Sequence, residues 1–136
     1  MSDLIQFELV SPEAKLASKA VKLAVMPGDL GEFGVGANHT ALVSHLKPGV
    51  VKLYAQSQND KPERIFITGG FADVTNKSCV VLAEEAIAVE KLDQKALQTE
   101  LSGLEQNLGL AVEEADKARF QAQIHIVKAK LDAIAA

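Results

Sequence analysis

Histidine, cysteine and closely spaced acids are the raw material of most catalytic and metal sites, and this chain has few of them. Its histidines, His39, His45 and His125, show no metal-ligand spacing to a carboxylate or cysteine, and neither an HExxH nor a CxxC motif occurs. No GxSxG elbow offers a serine nucleophile. Glu84 and Glu85 are adjacent acids at the end of an apolar run. Neighbours on a strand point to opposite faces, so they form no shared acid/base pair and read as a solvated turn. The single cysteine, Cys79, lies in Cys79-Val80-Val81-Leu82-Ala83 and reads as a small buried hydrophobe. One cysteine makes no internal disulfide, which suits a reducing compartment.

The segment Gly28-Asp29-Leu30-Gly31-Glu32-Phe33-Gly34-Val35-Gly36 invites comparison with a phosphate cradle. It lacks the following Lys-Ser or Lys-Thr and opens no helix, both of which that cradle requires. Its glycines are expected to permit positive φ in a long, shaped loop between strands. The residues therefore point to a binding or coupling protein with no visible active site, no metal and no cofactor.

The elements that must carry such a surface fall into two halves. With 136 residues, 48% of them apolar, the chain is expected to bury a real core. A net charge of −4, no basic run and few aromatics argue against nucleic acid and anionic membrane surfaces as partners. The opening Met1-Ser2-Asp3-Leu4 has no basic and apolar leader pattern, and no stretch of 18 apolar residues could span a bilayer.

Residues 1–89 alternate with period two, and Gly and Pro punctuate them. Strands are expected over 4–10, around Val21-Leu23-Val25, and over 41–46, 50–55, 64–68, 71–75 and 79–83. That many short strands with regular turn signals predict an antiparallel β-sandwich. Near Leu92 the period changes. Leu97, Leu101, Leu104 and Leu108 line one side of a helix, with Asp93 as its N-cap and Gly109 as its stop. A second helix from about Glu113 carries a small-residue row (Ala115, Ala118, Ala122, Ala129, Ala133) beside a bulkier one (Phe120, Ile124, Val127, Leu131, Ile134). The expected architecture is thus α+β: a sandwich over 1–89, then an antiparallel two-helix hairpin over 90–136.

Several stretches together resemble one family. Gly31-Glu32-Phe33-Gly34-Val35, His39, Ala41-Leu42-Val43 and Leu46-Lys47-Pro48-Gly49 are similar to the signature of F-type ATP synthase epsilon subunits, called delta in mitochondria. Phe7-Glu8-Leu9-Val10-Ser11-Pro12, Thr68-Gly69-Gly70-Phe71 with Val74, and Val80-Val81-Leu82-Ala83-Glu84 match in register, so the resemblance covers essentially the whole chain. It implies a non-catalytic central-stalk subunit, peripheral on the cytoplasmic side of the bacterial inner membrane, that couples the c-ring to the gamma subunit. By the same resemblance Glu32 and Phe33 face the c-ring, and His39, Leu42 and Val43 face gamma. The hairpin would regulate ATP hydrolysis through the catalytic alpha and beta subunits.

Some bacterial members of that family bind ATP through a motif with Ile or Leu, Asp, two variable residues, Arg and Ala. Here Leu92-Asp93 is kept, but Ala96-Leu97 stands where Arg-Ala is required. Asp93, Lys95 and Arg119 are left as the candidate nucleotide contacts, without the bidentate clamp arginines supply. An ATP-responsive sensor is the alternative reading. A free-standing enzyme on the same sandwich is a third, and it lacks convergent acid, base or nucleophile.

Overall fold

A computed structural model describes residues 4–57 and 59–135. It divides into two compact units, one ending at Ala88 and the other beginning at Val89.

Among the described residues the first unit holds ten strands. In chain order they are β1 Ile5–Val10, β2 Lys15–Val21, β3 Leu23–Gly28, β4 Gly31–Val35 and β5 Leu42–Leu46. There follow β6 Gly49–Tyr54, β7 Glu63–Ile67, β8 Gly70–Val74, β9 Ser78–Ala83 and β10 Ala86–Ala88. Their pairing makes two layers. One runs β4-β3-β6-β7-β10 and the other β5-β8-β9-β1-β2. All pairs are antiparallel except β1 with β9, where Phe7 lies opposite Cys79. A single β3–β5 pair, Gly28 with Leu46, joins the layers through the backbone ladder.

Alternation explains the core. Ile5, Phe7 and Leu9 are fully buried, while Gln6 bonds Ser18 at 3.1 Å and Glu8 pairs with Lys15 at 3.3 Å on the outside. Met26, Val35, Leu46, Val51, Ile67, Val74, Cys79 and Val81 complete the space between the layers. Strands pack this way because each pleat sends successive side chains to opposite faces.

The chain changes layer at corners gathered at one end. Lys47-Pro48 links β5 to β6, Thr68-Gly69 links β7 to β8, and Glu84-Glu85 links β9 to β10. Backbone bonds tie them: Lys47 N–H to Pro27 O at 3.0 Å, Thr68 N–H to Glu85 O at 3.1 Å, Glu84 N–H to Gly69 O at 3.2 Å. Glu84 and Glu85 are both exposed, as a solvated turn requires.

Three strands go beyond the sequence reading. β2 is an edge strand with mostly exposed side chains, so it has no alternation to detect. The glycine-rich segment is a hairpin rather than a long loop. Asp29-Leu30 turn the chain, Gly31 takes φ +129°, and β4 then pairs along β3 from Gly28–Gly31 to Ala24–Val35. Phe33 and Val35 supply its inward face. β10 is too short to show a period.

The second unit begins with a 3-10 turn, Val89–Lys91, and continues as α1 Gln94–Leu110 and α2 Glu114–Ala135. The Asp93 carboxylate accepts from the Lys95 and Ala96 amides at 3.0 and 3.2 Å, the expected N-cap. Gly109 lies inside the last turn, and α1 ends one residue later with Ala111 as its cap. On α2 the bulkier row carries the burial: Ile124 and Val127 are buried, and Phe120, Leu131 and Ile134 partly so. In the small-residue row only Ala133 is buried, and Ala115, Ala118 and Ala122 are exposed. Among the described residues no helix is long and apolar enough to cross a membrane.

Candidate docking surfaces

In a two-layer sandwich the outward positions normally carry polar side chains. The outer face of the β5-β8-β9-β1-β2 layer departs from that rule. Val43 on β5 is 72% exposed, and Phe71 on β8 and Leu82 on β9 are each 51% exposed. Register places His45, Phe71, Leu82 and Val10 in one row across four strands. The next row holds Val43, Asp73, Val80 and Glu8. The His45 ring meets Phe71 edge-on, with centroids 5.1 Å apart. Beside this row an open, almost wholly apolar groove of about 370 Å³ runs between Val10, Pro12, Gly70, Phe71, Leu82 and Glu84.

At the same end of the sandwich the β3–β4 turn projects Leu30, which is fully exposed. Asp29 just before it bonds His45 Nδ1 through Oδ2 at 2.7 Å. Glu32 is exposed on β4 and pairs with Lys52 of β6 at 3.4 Å. Phe33 turns the other way and packs against the core, where its ring leaves no room for a side chain at Gly28. Of the residues expected at the c-ring, Glu32 is thus a surface charge and Phe33 largely a packing residue.

The three expected at gamma also separate. Val43 points outward, whereas Leu42 beside it packs against the core. His39 sits in the loop after β4, half-buried, its Nδ1 2.7 Å from the Thr40 carbonyl oxygen. That loop lies at the far end of β5, tied by the Asn38 amide to Asn76 O at 2.9 Å. Phe71, Leu82, Val10 and Leu30 join these as candidates that the sequence reading does not name. Their signal was present as apolar residues on the solvent side of alternating strands, or at the tip of a turn.

Asp93, Lys95 and Arg119 do not converge. Asp93 is occupied as the cap of α1, and Arg119 pairs with Asp116 at 3.2 Å and lies over the Phe120 ring at 5.0 Å. The rise of the two helices puts Asp93 and Arg119 roughly 18 Å apart along the hairpin. Among the described residues no three of His, Cys, Asp and Glu gather as a metal site. Burial, with the Asp73 carboxylate adding to it, pushes the Cys79 thiol from 9.0 up to about 12. Its Sγ is 3.6 Å from Met26 Sδ, in the core.

What these surfaces define is a two-layer β-sandwich with a contiguous row of exposed apolar side chains across one outer face. The family model for the ATP synthase delta/epsilon chain β-sandwich domain matches residues 4–89. The ATP synthase epsilon chain of Rhodospirillum centenum is 39% identical over 138 residues, spanning 99% of this chain and 94% of that protein. The Rhodospirillum rubrum epsilon chain is 39% identical over 133 residues, spanning 98% of each. A chain of the Euglena gracilis mitochondrial ATP synthase, solved with OSCP, F1 and c-ring, superposes with a TM-score of 0.86 at 22% identity, covering 98% of this chain and 83% of its own. One from the Tetrahymena thermophila central stalk and c-ring gives 0.70 at 18% identity, covering 96% of each. This chain belongs to the epsilon-subunit family of F-type ATP synthases, a non-catalytic subunit of that complex.

Proposed function

We propose that this chain is a central-stalk coupling subunit that joins the c-ring to the gamma subunit, peripheral on the cytoplasmic side of the bacterial inner membrane. The observation that carries the reading is the exposed apolar row across β5, β8 and β9, with the groove beside it. Isolated apolar residues are ordinary on a surface, but a contiguous apolar face with a shaped groove marks an interaction site. Gamma is its proposed partner, with Val43, Phe71 and Leu82 as anchors and His39 at the rim. Leu30 and Glu32, at the turn end, form the proposed contact with the polar loops of the c-ring. The solved relatives come from complexes that hold a c-ring, which supports this arrangement. The hairpin is the proposed regulatory element, acting on ATP hydrolysis through the alpha and beta subunits. The nucleotide-responsive alternative draws no support from Asp93 and Arg119, which lie apart and engaged elsewhere.

Titration of gamma with the folded chain tests the docking reading. Val43→Asp and Leu82→Ser are expected to weaken binding at least tenfold, since an interface anchor contributes about 1–2 kcal/mol or more, with the circular-dichroism spectrum unchanged. Undiminished binding in both variants would refute it. At the other contact, Glu32→Arg should fold normally yet lower proton-driven ATP synthesis in reconstituted vesicles.

A further inference from the structure

Asp73 is a carboxylate set into the apolar outer face of its layer. Across the strands it lies opposite Val43 of β5 on one side and Val80 of β9 on the other. Two residues back along β8, on the same face, stands Phe71, with Leu82 opposite it. Val43, Phe71 and Leu82 are exposed, and so is Asp73 itself. The other acid in its row, Glu8 on β1, is neutralised by Lys15 of β2 at 3.3 Å. His45, one row over, is engaged by Asp29. Among the described residues Asp73 forms no ion pair.

Water solvates that carboxylate while the face is open. A partner that covers Val43, Phe71 and Leu82 covers Asp73 with them and strips its water away. A desolvated carboxylate without a counter-ion is strongly penalised, so the covering surface has to bring a cation. We propose that the gamma surface seated on this face presents an arginine side chain to Asp73, so that the apolar contacts close around one ion pair. The guanidinium suits this place because it is flat, weakly hydrated and able to give two parallel N–H···O bonds to one carboxylate. The apolar side chains supply attachment, and the pair supplies choice of partner and register. A surface that brings an apolar or acidic group to this point strands the carboxylate and is rejected. The inference rests on the docking reading above and states the chemistry that the partner must carry.

Titration of purified gamma with the full chain tests the pair. Asp73 is exposed, so its substitution leaves the core untouched. Asp73→Asn keeps the size and loses the charge, and Asp73→Leu makes the position apolar like its neighbours. Both are expected to weaken binding about tenfold or more, and Asp73→Lys further still, since each leaves a covered cation without its partner. Against an apolar partner surface the order reverses, and Asp73→Leu binds more tightly than the parent chain. Binding at parent strength or better in Asp73→Asn and Asp73→Leu, with the circular-dichroism spectrum unchanged, would overturn the ion pair. If Val43→Asp still weakens binding in that case, the docking reading stands without it. Undiminished binding in Val43→Asp and Leu82→Ser removes the docking reading, and this inference with it.

Discussion

A methyl group added at Gly70 would lie 2.0 Å from the Leu82 carbonyl oxygen, and Gly70 itself holds φ +152°. Both the space and the backbone conformation exclude a side chain there, at the corner where the chain passes from one layer to the other. Gly70→Ala is expected to cost about 3 kcal/mol or more, read as a lower denaturant midpoint or loss of soluble protein. Gly103, inside α1 with nothing within 4 Å of its added carbon, makes the opposite case. Gly103→Ala should stabilise the hairpin by up to about 1 kcal/mol, because helical glycine loses more backbone freedom than alanine. Cys79 makes a third residue-scale prediction. Its thiol is raised to about 12 from 9.0, so the folded state holds the proton more tightly than the unfolded chain. The sign follows: this contribution is intact below pH 9 and declines as pH rises from 9 toward 12. Comparison with Cys79→Ala should show an extra loss approaching about 1.4 kcal/mol per pH unit in that window. Thiol reagents at pH 8 should modify the native protein only as fast as it opens.

Among the elements, Asp93 is the clearest sequence signal and the easiest to test. Asp93→Ala removes two capping bonds from the start of α1 and should cost about 1 kcal/mol, measured as faster amide exchange in its first turn. The cap was legible because its chemistry is local: a short acid before an amphipathic run. The inward faces of β1, β6 and β9 were legible for a similar reason, since burial imposes a two-residue period that the sequence must record. β2 and β4 were not. β2 is an edge strand with little to bury, and in β4 the glycines that read as loop serve a tight turn and close packing. Gly34, for example, would bring its added carbon to 3.2 Å from Leu23. The proposed docking surface is half legible. The family motif implies Val43 and Glu32, and both are exposed, but Leu42 alternates inward and Phe71 and Leu82 outward, and only a known register separates those outcomes. Where a nucleotide-binding reading rested on residue types alone, distance along the hairpin separated Asp93 from Arg119.

For the molecule as a whole, the buried apolar cluster of the sandwich comes entirely from residues before Ala88. A polypeptide ending at Ala88 is therefore expected to fold cooperatively, with a β-type circular-dichroism spectrum. The segment from Val89 onward buries few side chains, so its amides are expected to exchange far faster than those of the sandwich core. The order of the strands has a further consequence, for biosynthesis. β1 must wait for β9, since Phe7 finds Cys79 only 72 positions later (79 − 7), with β9 inserting between β1 and β8. At about 5–20 residues per second of translation, the first strand leaves one edge open for roughly 4–15 s. A nascent chain thus carries a hairpin with an unpaired apolar edge until its ninth strand arrives, so chaperone demand should fall on that interval.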